Sequence, residues 1–235
     1  MENIVPFKTE NTYMATEFMM KDPYKNTRLV SLLEDYPDYS KIIYDNGVIK
    51  GILSVDPVHD EMWFYGNSKS LKAVIGNIEI KSNQVLYIDK KNLDIIQSRF
   101  SVEYSGLLAM RLKIREYEGT TVADGVERDT GSTGKEDRHN NIFIKRKNGE
   151  ILGSVKVLSL NIKSCAIGCL HYKDGYEGSI YDIISSIANI YKSQTENIVI
   201  YAPYQEKLKD GLLKLGFINS GELLKLYNIA PHQAK

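Results

Sequence analysis

Residues 45–56, DNGVIKGILSVD, place an Asn-Gly pair between two apolar, β-branched runs, with a second glycine four residues after the first. Residues 147–158, KNGEILGSVKVL, repeat this pattern, and both glycines recur 102 positions later, at Gly149 and Gly153. Because both central residues of a type I′ turn need positive φ, Asn-Gly in this setting predicts a two-residue β-hairpin. The second glycine in each copy predicts a bulge or a close approach of another backbone segment.

The match between the two regions continues downstream of the hairpins. Each hairpin is followed by a strand-like run, a polar loop and a helical stripe of apolar residues that begins at Leu71 or Ile180. A serine suited to an N-cap precedes each stripe, Ser70 in the first copy and Ser179 in the second. The separation between matching features grows in one direction, from 102 positions at the hairpins to 115 at two Ser-Gly turns. An ordered drift of this kind indicates an internal duplication with insertions in the second copy.

Composition narrows the class of protein. The chain has 235 residues, of which 43% are hydrophobic and 26% charged, as in ordinary globular proteins. Thirty basic and thirty acidic residues cancel, so charge gives no reason to expect nucleic-acid binding. The sequence has no apolar run of membrane-spanning length and no basic-then-apolar leader, so we expect a cytoplasmic protein without a membrane partner. Cys165 and Cys169 are predicted to be buried, unpaired residues of one strand, and no metal site is expected.

Residues 116–141 differ in composition from the rest of the chain. They are rich in glycine, threonine, aspartate and other charged residues, with only scattered apolar side chains. This composition is typical of a loop or linker, and it falls between the two copies. We therefore predict an N-terminal unit over 1–115, a polar linker or long loop over 116–141 and a C-terminal unit over 142–235.

The order of elements in the second copy is hairpin, strand, glycine-containing loop, amphipathic helix, strand, and a helix that ends in LLKLGF at 212–217. This order resembles the GNAT superfamily of acyl-CoA-dependent N-acyltransferases, most clearly over residues 142–227 and more faintly over 1–112. The resemblance implies an α/β protein of two GNAT-like units, each a mixed, mostly antiparallel twisted sheet flanked by helices. It also implies transfer of an acetyl group from acetyl-CoA to a small-molecule or peptide amine, with the first unit degenerate.

The loop HYKDGYEGS, which begins at His171, lies where GNAT proteins bind acyl-CoA. A helix N-terminus carries partial positive charge and unpaired N–H groups, and glycines let the backbone approach a phosphate. By resemblance, the end of the preceding strand would contact the pantetheine arm and the loop the pyrophosphate; the residues concerned are Leu170, Tyr172, Lys173, Gly175, Tyr176, Glu177, Gly178 and Ser179.

The sequence departs from the family pattern in the loop and at the catalytic positions. Asp174 and Glu177 place two carboxylates in the loop, and Leu212 stands where the family often has a tyrosine acid. His171 is the candidate base for the attacking amine, with a surface or hydrogen-bonded histidine as the alternative. Tyr204 is the candidate acid for the leaving thiolate. The rival hypothesis is a non-catalytic GNAT-like binding or regulatory module, and a homo-oligomer stays open in either case.

Two further clusters of polar residues each have two possible interpretations. The segment GNSKS, residues 66–70, could bind an anion through Lys69 or simply cap a helix. The segment DPVHDE, residues 56–61, could supply a metal site or a base, but Asp-Pro between two strands favours an exposed turn.

Overall fold

The computed structural model describes residues 2–78, 80–81, 83–119, 122–129 and 141–231. The chain divides into two compact units, the first made of residues 1–107 and 222–235 and the second of residues 108–221. Within the described ranges the strands are β1 (Glu2–Pro6), β2 (Ser40–Asp45), β3 (Val48–Asp56), β4 (Glu61–Gly66), β5 (Val85–Asp89), β6 (Phe100–Lys113), β7 (Val126–Asp129), β8 (Asn141–Lys147), β9 (Glu150–Leu160), β10 (Cys165–Tyr172), β11 (Asn197–Pro203) and β12 (Ile218–Pro231). The α-helices are α1 (Thr12–Met19), α2 (Thr27–Asp35), α3 (Ser68–Ile75), α4 (Leu93–Gln97), α5 (Gly178–Tyr191) and α6 (Glu206–Lys214).

The first unit is a mixed sheet in which β1, β2, β3, β4, β5 and β12 are successive neighbours. Its pairs are antiparallel except for the parallel pair β4–β5. The second unit repeats this order, with β7, β8, β9, β10 and β11 as neighbours, β6 next to β11, and β10–β11 parallel. The predicted fold class, two mixed and mostly antiparallel sheets with helices, is confirmed.

The observed division differs from the predicted domain boundaries. The end of the chain belongs to the first unit because β12 pairs with β5, from Leu223 opposite Asp89 to Leu226 opposite Leu86. Residues 108–113 of β6 belong to the second unit and supply buried apolar side chains to its core. In the predicted linker, β7 pairs with β8 as an edge strand, while residues 120, 121 and 130–140 lie outside the described residues.

The two Asn-Gly hairpins form as predicted. The central residues all have positive φ, +52° and +76° in the turn between β2 and β3 and +52° and +81° in the turn between β8 and β9. The register of each hairpin shifts by one residue just beyond the turn. The second glycines, Gly51 and Gly153, pair at the edge of these bulges, opposite Ile43 and Lys145. Turn chemistry and bulge were therefore both readable locally.

The second glycines also make room for a helix, but the nearest atoms are serine side-chain atoms rather than the backbone that the close-approach alternative predicted. A Cβ on Gly51 would lie 2.9 Å from the Cβ of Ser70, and a Cβ on Gly153 would overlap the hydroxyl of Ser179. Both serines are buried in the first helical turn, and neither is the N-cap, which corrects the prediction. Asn67 caps α3 by accepting from the Ser70 amide at 2.8 Å, whereas the Ser179 hydroxyl donates to the Leu152 carbonyl at 3.1 Å.

Each unit has its own hydrophobic core, formed by one helical stripe against one sheet. In the first unit the stripe of α3 packs on the sheet through Leu71, Val74 and Ile75. In the second unit the stripe of α5 does the same through Ile180, Ile183, Ile184 and Ile187. These stripes fix where each helix begins relative to its sheet, and so they position the loop in front of it.

Candidate functional site

In the second unit the two parallel strands stop pairing before they end. Pairing of β10 with β11 runs from Cys165–Ile198 to Ile167–Ile200, yet β10 continues to Tyr172 and β11 to Pro203. On the β9 side, the register of β10 shifts between Gly168 and His171, and φ of Cys169 is +51°. A bulge of this kind bends a strand, and we call the unpaired region between the carboxyl ends of β10 and β11 the cleft.

The structure brings the predicted cofactor residues together beside this cleft. Leu170 and Tyr172 are half-buried on the last part of β10 and pack against the core of the second unit. Lys173, Gly175, Tyr176 and Glu177 form the connecting loop, and Gly178 and Ser179 begin α5. Their binding of a cofactor stays a prediction.

The two candidate catalytic residues lie at the same end of the sheet. His171 is exposed on β10 just after the bulge. Tyr204 follows the end of β11 and is 53% exposed. Both side chains are accessible to solvent, and their roles as base and acid remain predictions.

A groove of about 460 Å³ runs between the start of α5 and one face of α6. Its lining includes Glu177, Gly178, Tyr181, Lys207, Asp210 and Lys214. A Cβ added to Gly178 would meet no atom within 4 Å, so this side of the helix start is open space. Two lysines and two carboxylates line the groove, so its charge alone does not favour an anion.

Side-chain contacts join β10, the loop and α5 to the start of α6. The Tyr172 hydroxyl and the Gln205 side-chain carbonyl are 2.7 Å apart, and Lys207 Nζ donates to Glu177 Oε1 at 2.7 Å. The Tyr181 hydroxyl donates to the Lys207 carbonyl at 3.2 Å. The Lys207 hydrogen bond holds the pKa of Glu177 below its usual value, and the same bond raises the pKa of Lys207, so both are charged at neutral pH.

Sequence reasoning missed Lys207 and Tyr181. Lys207 lies on a different element from its partner Glu177, and no local spacing relates the two. Tyr181 stands among the apolar residues that predicted α5, so it was not singled out. It lies four residues after Glu177 and hence on the same face of the helix start. That spacing was the available signal for Tyr181.

Some of the backbone N–H groups at the start of α5 that could bind an anion are already hydrogen-bonded within the chain. The Ser179 amide donates to the Tyr176 carbonyl at 2.9 Å, and the Ile180 amide donates to the Glu177 carbonyl at 3.1 Å. These N–H groups are occupied by the entry turn. A phosphate in the groove would therefore depend strongly on cationic side chains, and Lys207 and Lys214 are the lysines that line it.

The corresponding place in the first unit is filled. Pairing of β4 with β5 ends at Trp63–Tyr87, and the buried Asn92 side chain lies just beyond, donating to the Gly66 carbonyl at 3.3 Å and accepting from Ser68 Oγ at 2.9 Å. The Asn92 side chain therefore links the end of β4 to the start of α3.

The two alternatives in the first unit are now settled by geometry. Lys69 forms an exposed ion pair with Asp45 at 3.0 Å while Asn67 caps the helix, which favours the cap over an anion site at GNSKS. Asp56 begins a tight turn and accepts from the His59 amide at 3.1 Å and the ring Nδ1 at 2.8 Å. The turn interpretation holds, and in the described part of the chain no group of three or more His, Cys, Asp or Glu side chains could hold a metal.

Asp56 is more than a turn residue, because its carboxylate is fully buried and forms an ion pair with the buried Arg28 of α2. Burial acts to raise the pKa of Asp56. The hydrogen bonds from His59 and the Val58 amide, together with the charge of Arg28, outweigh burial and hold this pKa below its usual value. The network ties α2 to the end of β3, so it is a structural anchor of the first unit.

Of the helices in the described ranges, none combines the length and the apolar character needed to cross a bilayer.

No family model matches this sequence, and no curated protein matches it either. Solved structures do resemble it. A GCN5-related N-acetyltransferase from Sphaerobacter thermophilus has a TM-score of 0.59 at 7% identity, with 99% of this chain and 96% of that chain covered. A Drosophila protein has a TM-score of 0.58 at 11% identity, covering 96% and 98%. A tandem GNAT protein from the clavulanic acid biosynthesis pathway has a TM-score of 0.51 at 10% identity, with both chains covered in full. At such low identity these likenesses establish the fold alone: the chain has the GNAT fold, laid out as two units.

Proposed function

We propose that this protein is an acyl-CoA-dependent N-acyltransferase, which moves an acetyl group from acetyl-CoA to the amine of a small molecule or peptide. The observation that carries the proposal is the cleft between β10 and β11, which opens beside the groove of about 460 Å³ at the start of α5. The second unit is chosen over the first because the groove lies beside its parallel strands, whereas in the first unit the buried Asn92 side chain donates to the Gly66 carbonyl at the end of β4.

Residues of the second unit fit the cofactor in part. The open space at Gly178 suits a phosphate, and Lys207 and Lys214 can supply positive charge. The unpaired part of β10 can lie beside the pantetheine arm at Leu170 and Tyr172. Glu177 opposes a polyphosphate, and its effect is taken up in the next subsection.

Acetyl-CoA supplies an activated acyl thioester. For transfer, the amine nitrogen must lose a proton and form a bond to the thioester carbonyl carbon, while the carbon–sulfur bond breaks and the thiolate gains a proton. We propose that His171 accepts the proton from the amine and that Tyr204 donates a proton to the thiolate. Both side chains are exposed near the carboxyl ends of the parallel strands.

We also propose a cytoplasmic location. Both cysteines are free thiols, Cys165 buried and Cys169 exposed, which suits a reducing compartment.

The first experiment is thermal unfolding with and without acetyl-CoA. A ligand at 100 times its dissociation constant stabilises the bound protein by about 2.7 kcal/mol. For a chain of this size we expect the melting temperature to rise by roughly 5–10 °C, at about 2–4 °C per kcal/mol. No rise at millimolar acetyl-CoA would contradict cofactor binding.

Gly178→Arg tests the location of the site. The new side chain would enter the open space at the helix start, so the thermal shift should disappear even though the substitution adds a positive charge. Lys69→Gln is the control in the first unit, because Lys69 is exposed and its loss should leave the shift unchanged. Ser70 is unsuitable as a control, since it is buried against Gly51.

The second candidate function is a non-catalytic GNAT-like module that binds or regulates. The bridges across the cleft favour it, as does the fully buried Leu212, which cannot act as the family's acid. The discriminating assay is release of free CoA thiol with a panel of small amines and N-terminal peptides. Release that falls in His171→Gln and Tyr204→Phe supports the enzyme, whereas CoA binding without any release across the panel supports the module.

A further inference from the structure

The Glu177–Lys207 ion pair lies in the wall of the groove that would receive the cofactor phosphates. Glu177 comes from the loop before α5 and Lys207 from the first turn of α6, so their bond at 2.7 Å closes one side of the groove. Lys207 is 77% exposed at its side chain and Glu177 is 26% exposed. The pair is therefore reached by solvent and by any ligand that enters the groove.

The Glu177 side chain does not cap α5. It occupies the N-cap position of α5, but its backbone is helical and its side chain makes no capping hydrogen bond. An exposed ion pair of this kind adds little to folding stability. Its partner Lys207, by contrast, is one of the lysines in the lining on which a phosphate would depend.

We propose that Glu177 is an internal anionic competitor for Lys207, so that acyl-CoA binds by exchanging the Glu177 carboxylate for a cofactor phosphate as the partner of Lys207. This inference rests on the proposed cofactor site in the second unit. It assigns Lys207 as a phosphate-binding residue and Glu177 as a residue that weakens phosphate binding. Because the pair is exposed and weak, a phosphate carrying a full negative charge can displace the carboxylate.

The consequence is that the two partners affect affinity in opposite directions. Glu177→Gln frees Lys207 and removes a negative charge beside the phosphates, so the affinity for CoA should rise about two- to five-fold, the range expected for release of an exposed pair. Lys207→Gln should lower the affinity for CoA by at least about two-fold. If the pair merely braced the loop, both substitutions would loosen it and both would weaken binding.

The experiment is titration calorimetry of the full chain with two probes, CoA and pantetheine, which lacks the phosphates. The control variant is Glu196→Gln, because Glu196 makes an exposed ion pair with Lys163 at 3.1 Å before the start of β11, at the opposite end of that strand. Melting temperatures of all variants, measured without ligand, identify any loss of folding. We expect the CoA affinities to diverge in the stated directions, the pantetheine affinities to stay equal, and the control to match the unmodified protein.

Each outcome decides the inference. Tighter CoA binding in Glu177→Gln with unchanged pantetheine binding supports it, and so does CoA binding that appears only in this variant. Weaker or unchanged CoA binding in Glu177→Gln, with measurable binding in the unmodified protein, overturns the competition and leaves the cofactor site intact. If neither protein binds CoA, the proposed function fails and the competition fails with it.

Discussion

The contact between Gly153 and the start of α5 gives a quantitative test of how the second hairpin is built. A Cβ on Gly153 would overlap the hydroxyl of Ser179, and after that its nearest neighbours lie at 3.3 Å. The serine cannot turn away freely, because it is buried and donates to the Leu152 carbonyl. We expect overpacking in Gly153→Ala to lower the free energy of unfolding by about 1–3 kcal/mol. The lower conformational entropy of the unfolded chain offsets about 0.4–1 kcal/mol of this loss.

Ser179→Ala should relieve this clash. Alone it removes one hydrogen bond, worth about 0.5–1.5 kcal/mol, and the Leu152 carbonyl still accepts from the Lys173 amide at 3.0 Å. In the double variant, Gly153→Ala with Ser179→Ala, the oxygen that overlaps the new methyl group is gone. Its loss in free energy of unfolding should therefore be smaller than the sum of the two single losses by about 0.5–2 kcal/mol.

The first unit supplies the matched control for this cycle. A Cβ on Gly51 would lie 2.9 Å from the Cβ of Ser70, an atom that alanine also has. Ser70→Ala should therefore not relieve Gly51→Ala, and the two losses should add. All variants are compared by urea unfolding. Additivity within about 0.5 kcal/mol in the second unit, or relief in the first, would refute the reasoning.

Three further results are expected. Asp56→Asn removes the carboxylate that pairs with the buried Arg28, so it should cost about 3–5 kcal/mol in urea unfolding, and a loss below 1 kcal/mol would contradict a stabilising buried pair. Because the pKa of Asp56 is lowered in the folded protein, its contribution to the free energy of unfolding is present above its unfolded pKa of about 4 and is lost as the pH falls through the folded value. The free energy of unfolding of Asp56→Asn should therefore fall less steeply with acid than that of the unmodified protein. An unchanged slope would refute this. A disulfide exchange reagent at pH 8 should modify Cys169 alone, since burial raises the pKa of Cys165 to about 12; two fast-reacting thiols would contradict it.

Much of the fold could be predicted because its signals are local. The Asn-Gly turns need positive φ at adjacent residues, and the apolar stripes of α3 and α5 follow from helical spacing. The domain boundaries could not be predicted, because they depend on the pairing of β12 with β5, which no local pattern encodes. The strand β7 was read as linker because it is short and its residues are mostly polar and exposed.

The site could be predicted in outline only. The strand–loop–helix order placed His171 and the loop residues at one end of the sheet, where the structure has them. The prediction that Cys169 is buried was wrong, because the bulge in β10 breaks the alternation that would put it on the same face as Cys165. The bond between Glu177 and Lys207 joins two elements and leaves no trace in sequence spacing.

The two units close their clefts by different means, and the difference decides which of them can open. In the first unit the buried amide of Asn92 satisfies the Gly66 carbonyl, and removing it would leave a buried polar group without that partner, at about 1–3 kcal/mol. In the second unit the closing contacts are made by the exposed side chains of Gln205 and Lys207, which water can solvate as soon as they part. Opening the first cleft costs buried structure, whereas opening the second exchanges surface contacts. The second cleft is therefore the less costly of the two to open, which supports the proposal of a cofactor site there.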